Sequence, residues 1–418
     1  MVKANVHKLT FSTHGLEKFV KGWAPSVNLD LDKFCKGERL TFRGRASGPL
    51  NRLHAHGTMH TDFGKADLNV TLRNVIDPNR PLEIGGSAST ERLDIGRIMA
   101  GIPVGECDMR TGLNATFAKN SLGIVIDSLY VDGLDVLGYK YSNIAAVGTF
   151  SQDAFDGRIV CSDPNLNFLF QGIFSLSSKT KNALYQFYAN LGYADLHALN
   201  IDKRGVSKMS LSTQANFTRI SGEDIIGNIS IKDVMLEDEH GRHDVGDIEI
   251  ASHMGDELNR VRLHSAFAEG SYVGNKFLAS FIRDIQNVST LKELPSLYKS
   301  GQANWDNNRY ELSFLFHNTK DVLSFFAPGA YIADSTALSM KITADGQMKA
   351  NVKSGRIALK DKYLKGIKLS ADNASGKLGG VMTVGELSAG PIKTMANKLS
   401  FNADADSLSV DFSYDNKT

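Results

Sequence analysis

The sequence predicts a mainly β protein with an extended antiparallel architecture and a few short helices. Three observations predict it. Hydrophobic and polar residues alternate with period two along nearly the whole chain, and turn signals separate the alternating runs at short spacing. Glycine, with 38 residues, far outnumbers proline, with 9. A period of two places every second side chain on one face of a strand, and proline is excluded from sheet interiors.

The clearest strand pattern runs from residue 165 to 176. Its even positions carry Leu166, Phe168, Phe170 and Phe174, whereas its odd positions include asparagine, glutamine and serine. We therefore expect antiparallel strands with one apolar and one polar face. The same pattern returns at Leu68, Val70 and Leu72; Leu122, Ile124 and Ile126; Met209, Leu211 and Phe217; Leu312, Phe314 and Phe316; Leu338, Met340 and Ile342; Leu399 and Phe401; and Leu408, Val410, Phe412 and Tyr414.

Turn signals lie between these runs. Hairpin turns need residues that tolerate positive φ, which explains the many glycines. The parity of the apolar positions also switches near Asp406, where a turn or bulge is expected. The predicted turns are Asp-Gly at 132–133, 156–157 and 345–346, Ser-Gly at 221–222 and 354–355, and His-Gly-Arg at 240–242.

Helical patterns are few. Residues 90–101 begin at a threonine N-cap and end at a glycine, and residues 319–327 stop at Pro328. Residues 281–298 carry apolar residues at helical spacing, with Pro295 ending or kinking the helix. A single turn is expected at 16–20. These elements divide the chain into a first β segment at 1–280 with a short helix near 91–100, a helical interruption at 281–299, and a second β segment at 300–418 with a short helix near 319–327.

The composition excludes several classes of protein. The 418 residues include 47 Lys and Arg against 46 Asp and Glu, a formal net charge of +1. We therefore expect no nucleic-acid partner, because such binding requires a basic footprint. A hydrophobic fraction of 42% is not that of a disordered chain. No run of about 18 apolar residues and no secretory signal is visible, so the chain taken alone is expected to be soluble, whether it is a whole protein or a piece cut from a longer one.

No motif indicates catalysis. The sequence contains no dinucleotide fingerprint, P-loop, nucleophile elbow or His-Glu-x-x-His zinc motif. Its three cysteines, Cys35, Cys107 and Cys161, form no Cys-x-x-Cys pair. We therefore expect a protein that is not an enzyme and that has no catalytic residues, metal or cofactor.

Two polar clusters offer alternatives to that expectation. Alternation places His54, His56 and His60 on one strand face, where imidazoles bind zinc or copper, but a solvent-facing polar strand explains them better. Residues 237–244 carry enough acidic groups to attract a cation. The charged, glycine-bearing tip of a hairpin is the favoured interpretation of that segment.

The apolar faces of the predicted strands are the remaining candidates for a functional surface. They either pack against a second sheet as ordinary core or line an open trough. An open trough would exceed the apolar patches usual on a monomer and would call for a ligand. Acyl chains suit it, since each buried CH₂ contributes about 0.8 kcal/mol without polar partners. The pattern alone leaves both interpretations open.

Several stretches resemble large TamB-like (AsmA-like) envelope proteins of Bacteroidetes, in the order that this family shows. The first group is Gly-Tyr-Lys-Tyr-Ser-Asn-Ile at 138–144, Gly-Thr-Phe at 148–150, Asp-Gly at 156–157, Asp-Pro-Asn-Leu-Asn-Phe at 163–168 and Gln-Gly-Ile-Phe at 171–174. The second is Ala-Asp-Leu-His-Ala-Leu at 194–199, Gly-Asn-Ile at 227–229, residues 262–268 with Gly-Ser-Tyr at 270–272, and residues 321–328. The resemblance is spread over roughly residues 40–418.

The resemblance implies an elongated, curved, U-shaped β-groove, or β-taco, with an apolar interior. It implies a periplasmic protein, anchored at the inner membrane through parts outside this chain. The implied role is to carry phospholipid between inner and outer membrane, or to support outer-membrane protein assembly with a barrel partner. The chain would then be an internal segment that binds phospholipid acyl chains, and the expected contacts are Leu122, Ile124, Ile126, Leu166, Phe168, Phe170, Phe174, Leu211, Phe217, Leu312, Phe314 and Phe316.

Two other classes remain open. One is a structural or adhesive surface β-protein with closed hydrophobic cores and a ligand on its loops. The other is a polysaccharide-active β-solenoid enzyme, which is disfavoured because no convergent acidic cluster is evident.

Overall fold

The fold class is confirmed: the protein is mainly β, and its described residues form 26 strands in one open antiparallel sheet, with short helices. It is represented by a computed structural model, which describes residues 1–23, 39–75, 77, 79–98, 103–118, 121–151, 153–176, 182–221, 224–278, 281, 308–404 and 406–415. The chain divides into two compact units. Unit 1 comprises Met1–Thr180 and Leu184–Ser212, and unit 2 comprises Lys181–Ala183 and Thr213–Thr418.

The strands follow one another along the chain mostly as hairpin neighbours. In order, β1 to β13 are Val2–Ser12, Arg39–Gly48, Arg52–Thr61, Gly64–Arg73, Leu82–Glu91, Leu93–Asp94, Val104–Ala118, Ser121–Val136, Tyr139–Tyr141, Ile144–Ser151, Ala154–Asp163, Leu166–Ser175 and Ala183–Asp195. Strands β14 to β26 are Ser207–Ser221, Asp224–Asp238, Gly241–Met254, Asn259–Ser265, Ala268–Gly274, Tyr310–Phe316, Ala330–Ile332, Thr336–Ile342, Met348–Leu359, Lys362–Asp372, Leu378–Ala389, Ile392–Asp404 and Ser407–Asp415.

Three helices have described bounds, and the described residues Leu278 and Phe281 are also helical. Helix α1 is Thr13–Trp23, longer than the single turn expected there. Helix α2 is only Ile95–Ile98, because residues 90–91 and 93–94 belong to strands instead. Helix α3, Lys320–Phe326, confirms the prediction at 319–327. The predicted helix at 281–298 lies outside the described residues except for Phe281.

Three of the predicted turns are wrong. The Asp-Gly pairs at 132–133 and 156–157 lie inside β8 and β11, and the Ser-Gly pair at 354–355 lies inside β22. In β11 the reason is a close backbone approach: a Cβ on Gly157 would lie 2.3 Å from the carbonyl oxygen of Val147 on β10. Mid-strand glycines with positive φ at positions 86, 148, 172 and 227 likewise mark kinks, which bend a sheet.

Other turn predictions are confirmed. The β15–β16 hairpin turns at His240, β16 begins at Gly241, and Gly346 has the positive φ of a turn. Strand β25 ends at Asp404 and β26 begins at Ser407, where the parity of the apolar positions switches. The Ser-Gly pair at 221–222 extends beyond the described residues.

Each unit has a small closed core. In unit 1, Leu40 and Phe63 are buried, with Phe11, Met59 and Leu93 packed against them. In unit 2, Phe281 covers a buried cluster made of Tyr272, Tyr310, Ile342 and Met348. These clusters account for only a small part of the apolar side chains on the strands.

Candidate functional site

The strand register in unit 1 aligns apolar residues into a row that crosses β1 to β13. Residues directly opposite in an antiparallel pair lie on the same face of the sheet, so the row defines what we call the apolar face of unit 1. The row is Ala4, Ala46, Ala55, Val70, Gly86, Leu113, Ile126, Gly148, Gly157, Gly172 and Phe187.

The parallel rows on this face are mostly apolar and contain most of the expected lipid contacts of unit 1. Ile124 pairs with Phe150, and Phe174 pairs with Phe155. On the other side of the central row, Phe170 pairs with Ile159. Leu122, Leu166 and Phe168 are further residues of the same face, opposite Phe117, Asp163 and Cys161.

Aromatic rings concentrate over the glycines of this face. The ring of Phe170 lies 5.3 Å from that of Phe187 and 6.2 Å from that of Phe155. Phe174 packs edge-on against Tyr185 at 5.1 Å. Because glycine has no side chain, an aromatic ring packed over a strand glycine shields the backbone there from solvent.

Unit 2 has its own apolar face, defined in the same way. Phe314 lies in its central row and covers Gly270, where a Cβ would come within 2.5 Å of the ring. Leu312 and Phe316 are on the same strand and face, and the rings of Phe314 and Phe316 stack at 6.1 Å. The row is Ile229, Ile250, Leu263, Gly270, Phe314, Leu338, Val352, Leu369, Met382, Leu399 and Phe412.

The exposure of the twelve expected contacts distinguishes the two faces from a closed core. Phe170 is buried, at 8% exposure, and Phe174 is exposed at 37%. The other ten, which include Leu211 and Phe217 on β14, are half-buried. At the end of the row in unit 2, Phe412 on β26 is 52% exposed. A packed core would bury such residues almost completely.

The opposite face of β3 is polar, and it carries the histidine triplet. His54, His56 and His60 all lie exposed on one face of β3, as predicted. Among the described residues, no group of three or more His, Cys, Asp or Glu side chains is arranged to hold a metal ion. The exposure of the three histidines agrees with the solvent-facing interpretation of this strand.

The acidic hairpin tip is more ordered than an exposed loop. His243 and Asp238 are both buried, and Nε2 of His243 lies 2.9 Å from Oδ1 of Asp238. Its Nδ1 lies 3.4 Å from Oδ1 of Asp321 in α3. The hydrogen bond with Asp238 raises the pKa of His243, the bond with Asp321 acts in the same direction, and burial opposes both. This contact fixes α3 against the hairpin.

Several residues on which the resemblance depends form one hydrogen-bond network around the buried carboxylate of Asp163. Oδ2 of Asp163 accepts hydrogen bonds from the backbone N–H of Ser142 at 2.9 Å and from its Oγ at 2.8 Å. Oδ1 accepts bonds from the Tyr139 hydroxyl and from the Asn165 backbone at 2.9 Å. Burial acts to raise the pKa of Asp163, but these bonds outweigh it and lower the pKa. The sequence patterns did not reveal this network, although its members are close together in the chain.

The fold and the faces define a class: an open antiparallel sheet protein whose strands present continuous, incompletely buried apolar rows. No family model matches the chain, and comparison with curated proteins and with solved structures gives no match either. None of the helices in the described part of the chain has the length and hydrophobicity needed to cross a membrane.

Proposed function

We propose that the apolar faces accommodate the acyl chains of phospholipids, as a non-enzymatic segment of a bacterial envelope protein. The observation that carries the proposal is the pair of eleven-residue rows, apolar throughout and incompletely buried. Such rows offer a uniform floor over which a hydrocarbon chain can slide, because burial of each CH₂ contributes about 0.8 kcal/mol without a specific polar partner.

The setting we propose follows from the family resemblance. The chain would be an internal segment of a periplasmic protein anchored at the inner membrane, with lipid passing between inner and outer membrane. Support for the assembly of outer-membrane proteins, with a barrel partner, is the second role that the resemblance implies. Both roles require a segment that presents apolar surface without catalytic machinery.

The proposal is tested by lipid content. The purified chain is extracted with organic solvent and analysed by mass spectrometry, and a fluorescent phospholipid is then added to the delipidated protein. We expect co-purified phospholipid in the wild type and its loss in Phe168→Asp and Phe314→Asp, which place a charge on the apolar faces. A well-folded wild-type protein that contains no lipid and takes up none would contradict the proposal.

Matched controls come from the neighbouring residues. Leu169→Asp and Leu315→Asp introduce the same charge one residue further along, on the opposite face, and we expect them to keep the lipid. Phe168 and Phe314 also support folding, so circular dichroism accompanies each variant. Phe412→Asp changes the apolar face at a half-exposed site on β26 and should therefore destabilise the fold only slightly. Ser413→Asp is its control.

One observation favours the structural or adhesive alternative within part of unit 2. Tyr272, Phe281, Tyr310 and Ile342 form a closed core that excludes any ligand there. If the protein uses its apolar rows only as core, the Leu315→Asp and Phe314→Asp variants will differ in stability while neither binds lipid.

A further inference from the structure

The histidine triplet belongs to a basic strip on the polar face of β2 and β3. Arg43 and Arg45 lie exposed on β2, and Arg45 is directly opposite His56. His54 and His60 flank this pair along β3, opposite Ser47 and Thr41. We call these five residues, Arg43, Arg45, His54, His56 and His60, the basic strip.

The two arginines have no acidic partner, unlike three arginines on β4, β7 and the segment between β5 and β6. Arg73 lies 3.3 Å from Glu83, Arg92 lies 3.1 Å from Glu106, and Arg110 lies 3.1 Å from Asp132. Among the described residues, no ion pair joins Arg43 or Arg45 to a carboxylate. Their charge is therefore available to a ligand.

The neighbouring strands do not neutralise the strip. On β4, Asp67 accepts a hydrogen bond from Thr58 at 2.6 Å and pairs with Lys65 at 3.3 Å. Lys65 in turn lies 3.3 Å from Glu91 on β5. Beyond β2, Lys3 on β1 is opposite Ser47 in the strand register and adds a further positive charge to the same face. Both acidic groups are thus engaged by Lys65, and Asp67 also interacts electrostatically with His60.

The register places like charges opposite each other when the histidines are protonated. Directly opposite side chains in an antiparallel pair lie about 5 Å apart, and like charges there are unfavourable. An anion between Arg45 and His56 would remove that repulsion. A histidine side chain is positively charged only when it is protonated, so acidic conditions add positive charge to the strip.

The spread of the charges favours an extended anionic surface over a single small anion. His54 and His60 are six residues apart on one strand, which corresponds to about 20 Å. A lone phosphate needs donors that converge on it, whereas a bilayer of anionic lipids presents many phosphates in a plane and gains from each basic residue near its surface.

From this charge complementarity we infer that the basic strip binds the surface of membranes rich in anionic phospholipid, more tightly at acidic pH. The inference concerns the polar face and does not depend on acyl-chain binding by the apolar faces. Loss of vesicle binding with retained lipid content, or the reverse, would therefore identify which of the two ideas has failed.

The test is vesicle flotation of the intact chain. Vesicles of phosphatidylcholine alone are compared with vesicles in which one third of the lipid is phosphatidylglycerol, at about pH 5.5 and about pH 8. We expect binding only to the anionic vesicles, tighter at the lower pH and weakened by salt. The double variant Arg43→Gln/Arg45→Gln should bind about 30-fold more weakly, since each basic residue near an anionic membrane contributes about a factor of five.

Two further variants distinguish the contribution of the histidines from a non-specific effect of positive charge. His54→Gln/His56→Gln/His60→Gln should remove the pH dependence and keep the binding measured at the higher pH. Lys353→Gln/Lys368→Gln, which removes two exposed lysines that are opposite each other in β22 and β23, should bind as the wild type does. Wild-type affinity in the double arginine variant, equal binding to neutral vesicles, or tighter binding to single-stranded nucleic acid than to the anionic vesicles would overturn the inference.

Discussion

Gly148 on β10 and Gly157 on β11 face each other so closely that a Cβ atom on either would lie 2.7 Å from the Cα of the other. Gly172 on β12 is opposite Gly157 in the register and has a φ of +134°, and a Cβ atom there would lie 2.6 Å from the Cα of Phe187 on β13. Only glycine permits both the close approach and the positive φ. The three glycines thus allow the strands to bend beneath the phenylalanine rings of the apolar face.

The first prediction concerns this contact. Gly157→Ala should lower the free energy of unfolding by about 2 to 3 kcal/mol, because the added methyl group meets backbone atoms that cannot move aside without shifting a strand. Urea denaturation measures the change. Gly123→Ala on β8 is the matched control, since a Cβ there meets nothing within 4 Å, and it should stay within about 1 kcal/mol of wild type. Equal stability of the two variants would refute the close-contact explanation.

The glycines also show what sequence patterns leave undetermined. The same Asp-Gly pair can occur in a hairpin turn or in a kinked strand, and the local sequence does not distinguish the two. At 345–346 it forms a turn, whereas at 156–157 it lies opposite Gly148 within the sheet. The residue that decides the outcome is on another strand, so a local pattern does not contain the answer.

The alternation of residues was far more informative. It correctly predicted the shared face of Leu122, Ile124 and Ile126, and that of Leu312, Phe314 and Phe316. It also placed the three histidines together, because the side-chain period of a strand fixes the face wherever the register is regular. It did not reveal that His243 and Asp321, 78 residues apart, meet at the hairpin tip.

The second prediction concerns Asp163. Replacement by alanine leaves the Ser142, Tyr139 and Asn165 donors without their acceptor in a partly buried site, and we expect a loss of about 2 to 3 kcal/mol in the free energy of unfolding. Asp156→Ala, at an exposed position on the same strand, should change stability by less than about 0.5 kcal/mol. Similar urea midpoints for the two variants would show that the network does not stabilise the fold.

The third prediction concerns the thiols. Cys107 and Cys161 are buried, at 2% and 4% exposure, and burial raises the pKa of Cys107 to about 11 and also raises that of Cys161. Because the thiolate is the reactive form, we expect iodoacetamide at about pH 8 to modify Cys107 in the native protein about 100-fold more slowly than a free thiol. Peptide mapping measures the rate, with urea-unfolded protein as the reference. Fast labelling of both cysteines in the native state would contradict their burial.

The fourth prediction concerns the pH dependence of the contact between His243 and Asp238. The pKa of His243 is raised in the folded state, so its contribution to stability is complete below about pH 6.5 and is lost as the pH rises through the raised value. For Asp238, burial acts to raise the pKa, but the bonds from His243 and the His240 backbone lower it overall. Its contribution is therefore lost as the pH falls through the lowered value, below about pH 3.8.

Hydrogen exchange in α3 and in the β15–β16 hairpin, measured between about pH 6 and pH 9, reads this contact directly once the intrinsic exchange rates are corrected. We expect protection in the wild type to decrease toward the alkaline end and to be low and nearly constant in His243→Gln. His264→Gln, which removes an exposed histidine on β17 that lies 3.9 Å from Glu269, should retain the wild-type profile. If His243→Gln also retained that profile, the two carboxylates would not be holding a charged histidine, and packing of Phe325 would be what keeps α3 in place.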